Sequence, residues 1–283
     1  MLSLSKRRII KSALKFKYSD SPRITWWLAD ESLIPVVQSI VGVVRDITNN
    51  AVPTNIKVLK LNKRKAVFSM EHPQDCGQSF FAKVFFLNRL EHKLKYHKYG
   101  LDEAANLLRA RDRGINTPRV YGYGHIYNLL RLVKGSVIIL EDLSGLLPIG
   151  NLLRQGTNSK RYQTFMRTIP LFVSLYNARC NHTDVNGGAV MLCEHNLNPP
   201  LYVLDFQHAK FYNRHSTEIL MFEAGNFAKS CRNWISTEAI NEWLSALLDS
   251  IGVSSAHKRG KMIKQFNYYF RTELSRKQRK KIR

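Results

Sequence analysis

A chain of 283 residues that is 44% hydrophobic and 11% aromatic can bury a full core, so disorder is not the default reading, and its length fits one large domain or two lobes sharing a cleft. Its 44 Lys and Arg against 21 Asp and Glu give a formal charge of +23, so the partner class is anionic: nucleic acid, an acidic membrane surface or a phosphorylated glycolipid. The cysteines, Cys76, Cys180, Cys193 and Cys231, show no C-x-x-C pair and no metal-type spacing, and read as reduced thiols of a cytoplasmic protein.

Met1 to Tyr18 has the positive charge of a signal peptide in Lys6-Arg7-Arg8 but lacks the apolar block and cleavage site that must follow. It reads as a basic helix, either solvated or lying on anionic lipid. The longest apolar stretch, Ser32 to Val44, is interrupted by Pro35 and Gln38 and is shorter than the ~20 apolar residues that cross a membrane, so no transmembrane helix is expected. Residues 1–54 are assigned to an N-terminal basic, helical extension.

From Asn55 the periodicity becomes β-like. Asn55 to Leu61, a basic turn Asn62-Lys63-Arg64-Lys65, Ala66 to Glu71 and Ser79 to Phe86 predict an antiparallel meander. Leu101 to Arg113 predicts a helix whose Leu101, Ala104, Ala105 and Leu108 share one face, stopped by Gly114. Strands at Arg119 to Ile126 and Ser136 to Glu141 complete an N-lobe over residues 55–145. A C-lobe over 146–283 follows: a helix from Tyr162 to Ala178, a loop at Cys180 to Gly188, a strand at Leu201 to Phe206, then helices at Glu218 to Cys231, Ser236 to Ser250 and from Lys258 onward. The expected fold is α+β, with a small antiparallel-sheet lobe bearing one helix before a mostly helical lobe.

Certain residues sit where chemistry needs them. Lys83 lies in the aromatic strand Phe80 to Phe86, where an ammonium either faces water on an edge strand or is held by a buried carboxylate. Glu103, at the start of the next helix, could orient it, or serve simply as a helix-start acid favoured by the macrodipole. His182-Thr183-Asp184 follows an amphipathic helix, and Asp205 closes an apolar strand, where it is a metal ligand or a turn residue. Phosphoryl transfer needs a cation on the phosphates, a carboxylate for Mg²⁺ and a carboxylate for the acceptor hydroxyl, and Lys83, Asp205 and Asp184 supply these.

The order Phe81-Ala82-Lys83-Val84, Glu103, Arg113-Gly114-Ile115-Asn116-Thr117-Pro118, Ile138-Ile139-Leu140-Glu141-Asp142-Leu143, His182-x-Asp184 and Leu204-Asp205-Phe206 resembles the protein-kinase-like fold. More narrowly, over roughly Asn55 to Asn213, it resembles the lipopolysaccharide core kinase family that phosphorylates Kdo or heptose. That resemblance implies ATP and Mg²⁺ as cofactors, Lys83 on the nucleotide phosphates, Glu103 fixing Lys83, and the backbone at Glu141 to Leu143 receiving adenine. It further implies Asp184 as acceptor of the sugar hydroxyl proton, Asp205 as metal ligand and His182 as support of the loop. The implied partners are the core oligosaccharide on its lipid A precursor and the anionic inner-membrane surface, with no nucleic acid. Two positions depart from the family pattern. Ala189, which cannot bind metal, stands where related kinases usually have a metal-binding Asn, so either Asn186 of the same loop supplies the second ligand or one cation suffices. The first hairpin has Asn62 to Lys65 in place of phosphate-closing glycines, and Gly122 and Gly124 come too late in the chain to replace them.

Overall fold

The computed structural model describes residues 2–21, 24–48, 56–62, 65–87, 98–127, 133–193 and 200–282. The chain divides into two compact units, Met1–Arg109 with Pro118–Leu143, and Ala110–Thr117 with Ser144–Arg283. Lys63 and Arg64 of the predicted basic turn, and Asn55 at the predicted lobe start, lie outside the described residues.

The first unit holds α1 (Leu2–Ala13), β1 (Phe16–Ser21), β2 (Ile24–Leu28), a 3-10 turn (Glu31–Leu33), α2 (Ile34–Thr48), β3 (Lys57–Asn62), β4 (Lys65–His72), β5 (Asp75–Phe86), α3 (Tyr99–Asp112), β6 (Val120–Tyr127) and β7 (Val133–Glu141). Its strands form one sheet in the order β1-β2-β6-β7-β5-β4-β3, every neighbouring pair antiparallel. Alternation decides the faces. Ala66, Phe68 and Met70 of β4 and Phe80, Ala82 and Val84 of β5 turn to one side, where Val36, Val37 and Ile40 of α2 cover them.

The stretch assigned to an extension therefore contributes two strands and the core-covering helix. The run Ile-Thr-Trp-Trp-Leu is too short for its alternation to stand out, yet it buries Trp26 and Leu28 completely. Gly122 and Gly124 explain how these side chains fit. They lie opposite Leu28 and Trp26 in the β2–β6 register, and a Cβ there would come within 2.8 Å of Leu28 and 2.5 Å of Trp26.

The second unit begins with β8 (Leu147–Pro148), α4 (Ile149–Gln155), α5 (Asn158–Met166) and α6 (Ile169–Asn177). It continues with β9 (Cys180–Asn181), β10 (Val190–Leu192), β11 (Tyr202–Val203), a 3-10 turn (Phe206–His208) and β12 (Lys210–Phe211). It closes with α7 (Thr217–Cys231), α8 (Thr237–Ser250), α9 (Ala256–Arg271) and α10 (Arg276–Arg279). The core is aromatic: Trp243 lies 5.1 Å from both Phe165 and Phe172, and Phe227 stacks on Phe165 at 5.6 Å. Trp243 Nε1 donates to Thr168 Oγ1 at 2.9 Å, so the one buried polar atom of the indole is satisfied.

Two predicted elements differ. The single helix expected over Tyr162 to Ala178 is two helices, because Pro170 brings no backbone N–H and opens α6 at its first turn. The strand expected over Leu201 to Phe206 shrinks to Tyr202–Val203, because Asp205 takes a left-handed conformation, φ 61°, and turns the chain into the 3-10 turn. The α+β architecture read from the sequence, an antiparallel sheet followed by a mostly helical part, is the one observed.

Candidate active site

In the first unit, β5 is an interior strand: Lys83 pairs with Val67 of β4 on one side and Ile138 of β7 on the other. The edge-strand alternative thus fails, and the ammonium, only 5% exposed as a residue, needs a buried partner. Alternation turns Lys83 away from α2, toward α3. Gly100, near the start of that helix, permits a close approach, since a Cβ there would collide with Ser136 and sit 3.2 Å from the Phe85 ring. Glu103, in the second turn of α3, then meets Lys83 in a buried ion pair. Glu103 Oε1 carries this contact, while Oε2 is buried with no hydrogen-bond partner among the described residues.

At the end of β7, Glu141 closes the sheet. Its N–H donates to Arg119 O and its carboxylate accepts from Arg119 N, each at 2.9 Å. Asp142 accepts from Ser79 Oγ at 2.7 Å, and Leu143 is buried. Of the backbone expected to receive adenine, the Glu141 N–H is therefore already engaged.

In the second unit, the segment His182 to Ala189 links β9 to β10. His182 is fully buried, and its Nε2 lies 2.7 Å from Leu204 O. A carbonyl only accepts, which assigns the proton to Nε2. This bond ties the loop to the residue just before Asp205, and the ring meets Phe206 edge-on at 4.6 Å. Both Asp184 and Asp205 act electrostatically on His182 and on His208, which brings the two carboxylates into one neighbourhood. Burial first, then the charges of Lys280 and Arg276, push His208 down to about 4 against the opposing pull of the two aspartates.

Asp205 is exposed on its left-handed turn. Asp184 keeps a 47% exposed side chain and forms an ion pair with Arg279, Nη1 to Oδ1, at 2.6 Å. Asn186 folds the loop back on itself. Its Nδ2 donates to Asp184 O, and its Oδ1 accepts from the Gly188 and Ala189 N–H groups at 2.9 and 3.2 Å. The oxygen it would offer a cation is thus occupied.

Three features escaped the sequence reading. Glu223, 1% exposed within α7, accepts the Thr183 N–H at 2.9 Å; burial pushes its carboxyl up to about 8 against the lowering effect of the Thr183, His182 and Val185 N–H groups. Thr183 is β-branched yet sits at φ 72°, a conformation costing of order 1–3 kcal/mol that persists only where neighbours impose it. A lone Glu between Phe222 and Ala224 in an apolar helix was the available signal. Gly187 packs on Gly150, whose N–H donates to Gly187 O at 2.8 Å; a Cβ on Gly187 would lie 3.2 Å from Gly150 Cα. Arg279 gave no signal, because a basic run reads as a solvated tail. The Arg113 to Pro118 motif also acquires a structural role. Arg113 donates to Ala178 O and Tyr212 O, and Asn116 O accepts the Val203 N–H, steadying the strand that leads to Asp205.

No protein-family model matches the chain, and no curated protein matches it by sequence. Among solved structures, WaaP in complex with acyl carrier protein superposes with a TM-score of 0.53 at 14% identity, covering 80% of this chain and 96% of that one. At that identity the likeness is one of fold, an antiparallel-sheet part and a helical part of the protein-kinase-like kind.

Proposed function

We propose that the chain is an ATP-dependent kinase that phosphorylates a Kdo or heptose hydroxyl of the lipopolysaccharide inner core at the cytoplasmic face of the inner membrane. The observation that carries this reading is the buried Lys83–Glu103 pair on β5 and α3 of a kinase-like fold. Burying two charges costs several kcal/mol per ion before their attraction is counted, so packing alone gives no reason for such a pair. Holding one ammonium at a fixed point for a polyphosphate does.

The residues fit ATP and Mg²⁺. Among the described residues no group of three His, Cys, Asp or Glu could enclose a metal, whereas one exposed carboxylate, Asp205, suits a Mg²⁺ that takes its other ligands from phosphates and water. The cation, held by Asp205, would neutralise charge on the transferring phosphates. Lys83, oriented by Glu103, binds the α- and β-phosphates, and Leu143 lies in the segment assigned to adenine. Asp184 accepts the sugar hydroxyl proton as that oxygen bonds to the γ-phosphorus and the bond to ADP breaks. His182 and Glu223 hold the Asp184 loop in shape and do not touch the reacting atoms.

The +23 charge supports an anionic, membrane-borne acceptor. No helix of the described residues is long and apolar enough to cross a membrane, so attachment in this reading is peripheral. The test is Mg²⁺-dependent ATP turnover, stimulated by core oligosaccharide and abolished by Asp205→Ala. Turnover insensitive to that change, or salt-sensitive binding to polyanions with no turnover, overturns the reading in favour of a basic binding protein.

A further inference from the structure

The segment after α9 is fastened across the Asp184 loop. Ser275 opens α10 with a reciprocal capping box to Gln278. Beyond it, Ile282 O accepts from Asn181 Nδ2 at 3.1 Å and from Tyr212 Oη at 3.3 Å, and Lys210 donates to Lys280 O. These contacts fix the backbone without help from the Arg279 charge. That charge nevertheless points at the carboxylate assigned to the acceptor hydroxyl. Arg276, Lys277, Arg279, Lys280 and Lys281 follow closely with no acid among them. Lys280 Nζ lies 3.2 Å from His208 Nδ1, beside the same loop. Arg279 uses Nε on Leu274 O and Nη1 on Asp184, and its Nη2 makes no hydrogen bond among the described residues.

We infer that Arg279, with Arg276 and Lys280 beside it, is the specificity-determining element for the acceptor: it binds an anionic group, phosphate or carboxylate, that the sugar acceptor already carries next to the hydroxyl to be phosphorylated. This rests on the kinase reading above. A guanidinium offers the fork such a group needs, and an anion that engages it draws positive charge from Asp184, leaving that carboxylate the better proton acceptor. A neutral acceptor leaves the Arg279–Asp184 pair intact and is a poor substrate.

The test uses the full chain with ATP, Mg²⁺ and core oligosaccharide in three forms: intact, phosphatase-treated and carboxyl-reduced. The wild type is expected to prefer an anionic form, and the arm that loses activity names the group. Arg279→Gln is expected to raise the acceptor KM about tenfold or more, with a smaller fall in kcat, and to erase the preference. Arg279→Lys, with charge but no fork, retains part of it. Should Arg279→Gln show no cooperative melting, the double variant Arg276→Gln/Lys280→Gln decides by the same readout. Wild-type acceptor KM and preference in the variants, or a change confined to the KM for ATP, overturns the inference alone. Absence of transfer by the wild type to all three acceptors overturns the kinase reading, and the inference with it.

Discussion

The Thr183 N–H donates to Glu223 Oε1 at 2.9 Å across 40 residues of sequence, and through this bond a helix in the core dictates the shape of the loop that carries Asp184. Glu223→Ala leaves that N–H buried and unpaired, at a cost of about 1–3 kcal/mol, and removes the support for the left-handed Thr183. Thermal melting is expected to shift down and ATP turnover to fall with it.

The same carboxyl predicts a pH dependence. Its pKa rises from 4.5 to about 8 on folding, so between those values the folded state binds more protons than the unfolded one. Stability from this group is full below the lower value and is lost as pH rises through the window, with a slope of up to about 1.4 kcal/mol per pH unit. Glu223→Gln keeps an acceptor oxygen and cannot titrate. Its melting temperature relative to wild type is expected to improve from pH 5 to pH 8; a constant difference contradicts the assignment.

For the Lys83–Glu103 pair, single and double changes separate structure from chemistry. Lys83→Met or Glu103→Leu strands a buried charge and is expected to cost about 3–5 kcal/mol. The double change removes both charges and is expected to restore most of that stability while ATP turnover stays lost. Denaturant unfolding and a turnover assay on the three variants measure this.

Asp205 combines a left-handed backbone with the proposed metal carboxylate. Asparagine and glycine accept φ 61°, whereas alanine there costs roughly 1–2 kcal/mol. Asp205→Asn and Asp205→Gly are expected to melt above Asp205→Ala, and all three to lose Mg²⁺-dependent turnover.

Gly225 in α7 faces α9, where a Cβ would stand 3.0 Å from Phe266 O, Phe270 N and Tyr269 Cβ. Alanine brings about 1 kcal/mol of helix propensity, but overpacking costs about 1–3 kcal/mol, so Gly225→Ala is expected to lower the melting temperature. A rise would mean that α7 and α9 separate easily.

The strands β3 to β7 and α3 were legible because their period-2 and period-3.6 patterns are strong and local. Lys83 was legible as a charge set in an aromatic strand, whereas Glu103, at a helix start beside Asp102, read equally as a helix-start acid until the structure paired it with Lys83. What escaped was non-local. The Ile24–Leu28 strand gains its place from two glycines almost a hundred residues later, a complementarity no window detects. Asp205 shortened its strand through a single backbone angle. Arg279 was invisible because a run of cations looks the same whether it faces water or one carboxylate. Asn186 was read for its side-chain chemistry, whereas its oxygen serves the loop's own N–H groups.

The most direct measurement is to incubate the purified protein with ATP, Mg²⁺ and core oligosaccharide from cells lacking the gene, then weigh the sugar by mass spectrometry. A kinase of the proposed kind adds one phosphate to a Kdo or heptose with the wild type and none with Asp184→Asn. An oligosaccharide of unchanged mass after incubation with the folded wild type contradicts that proposal.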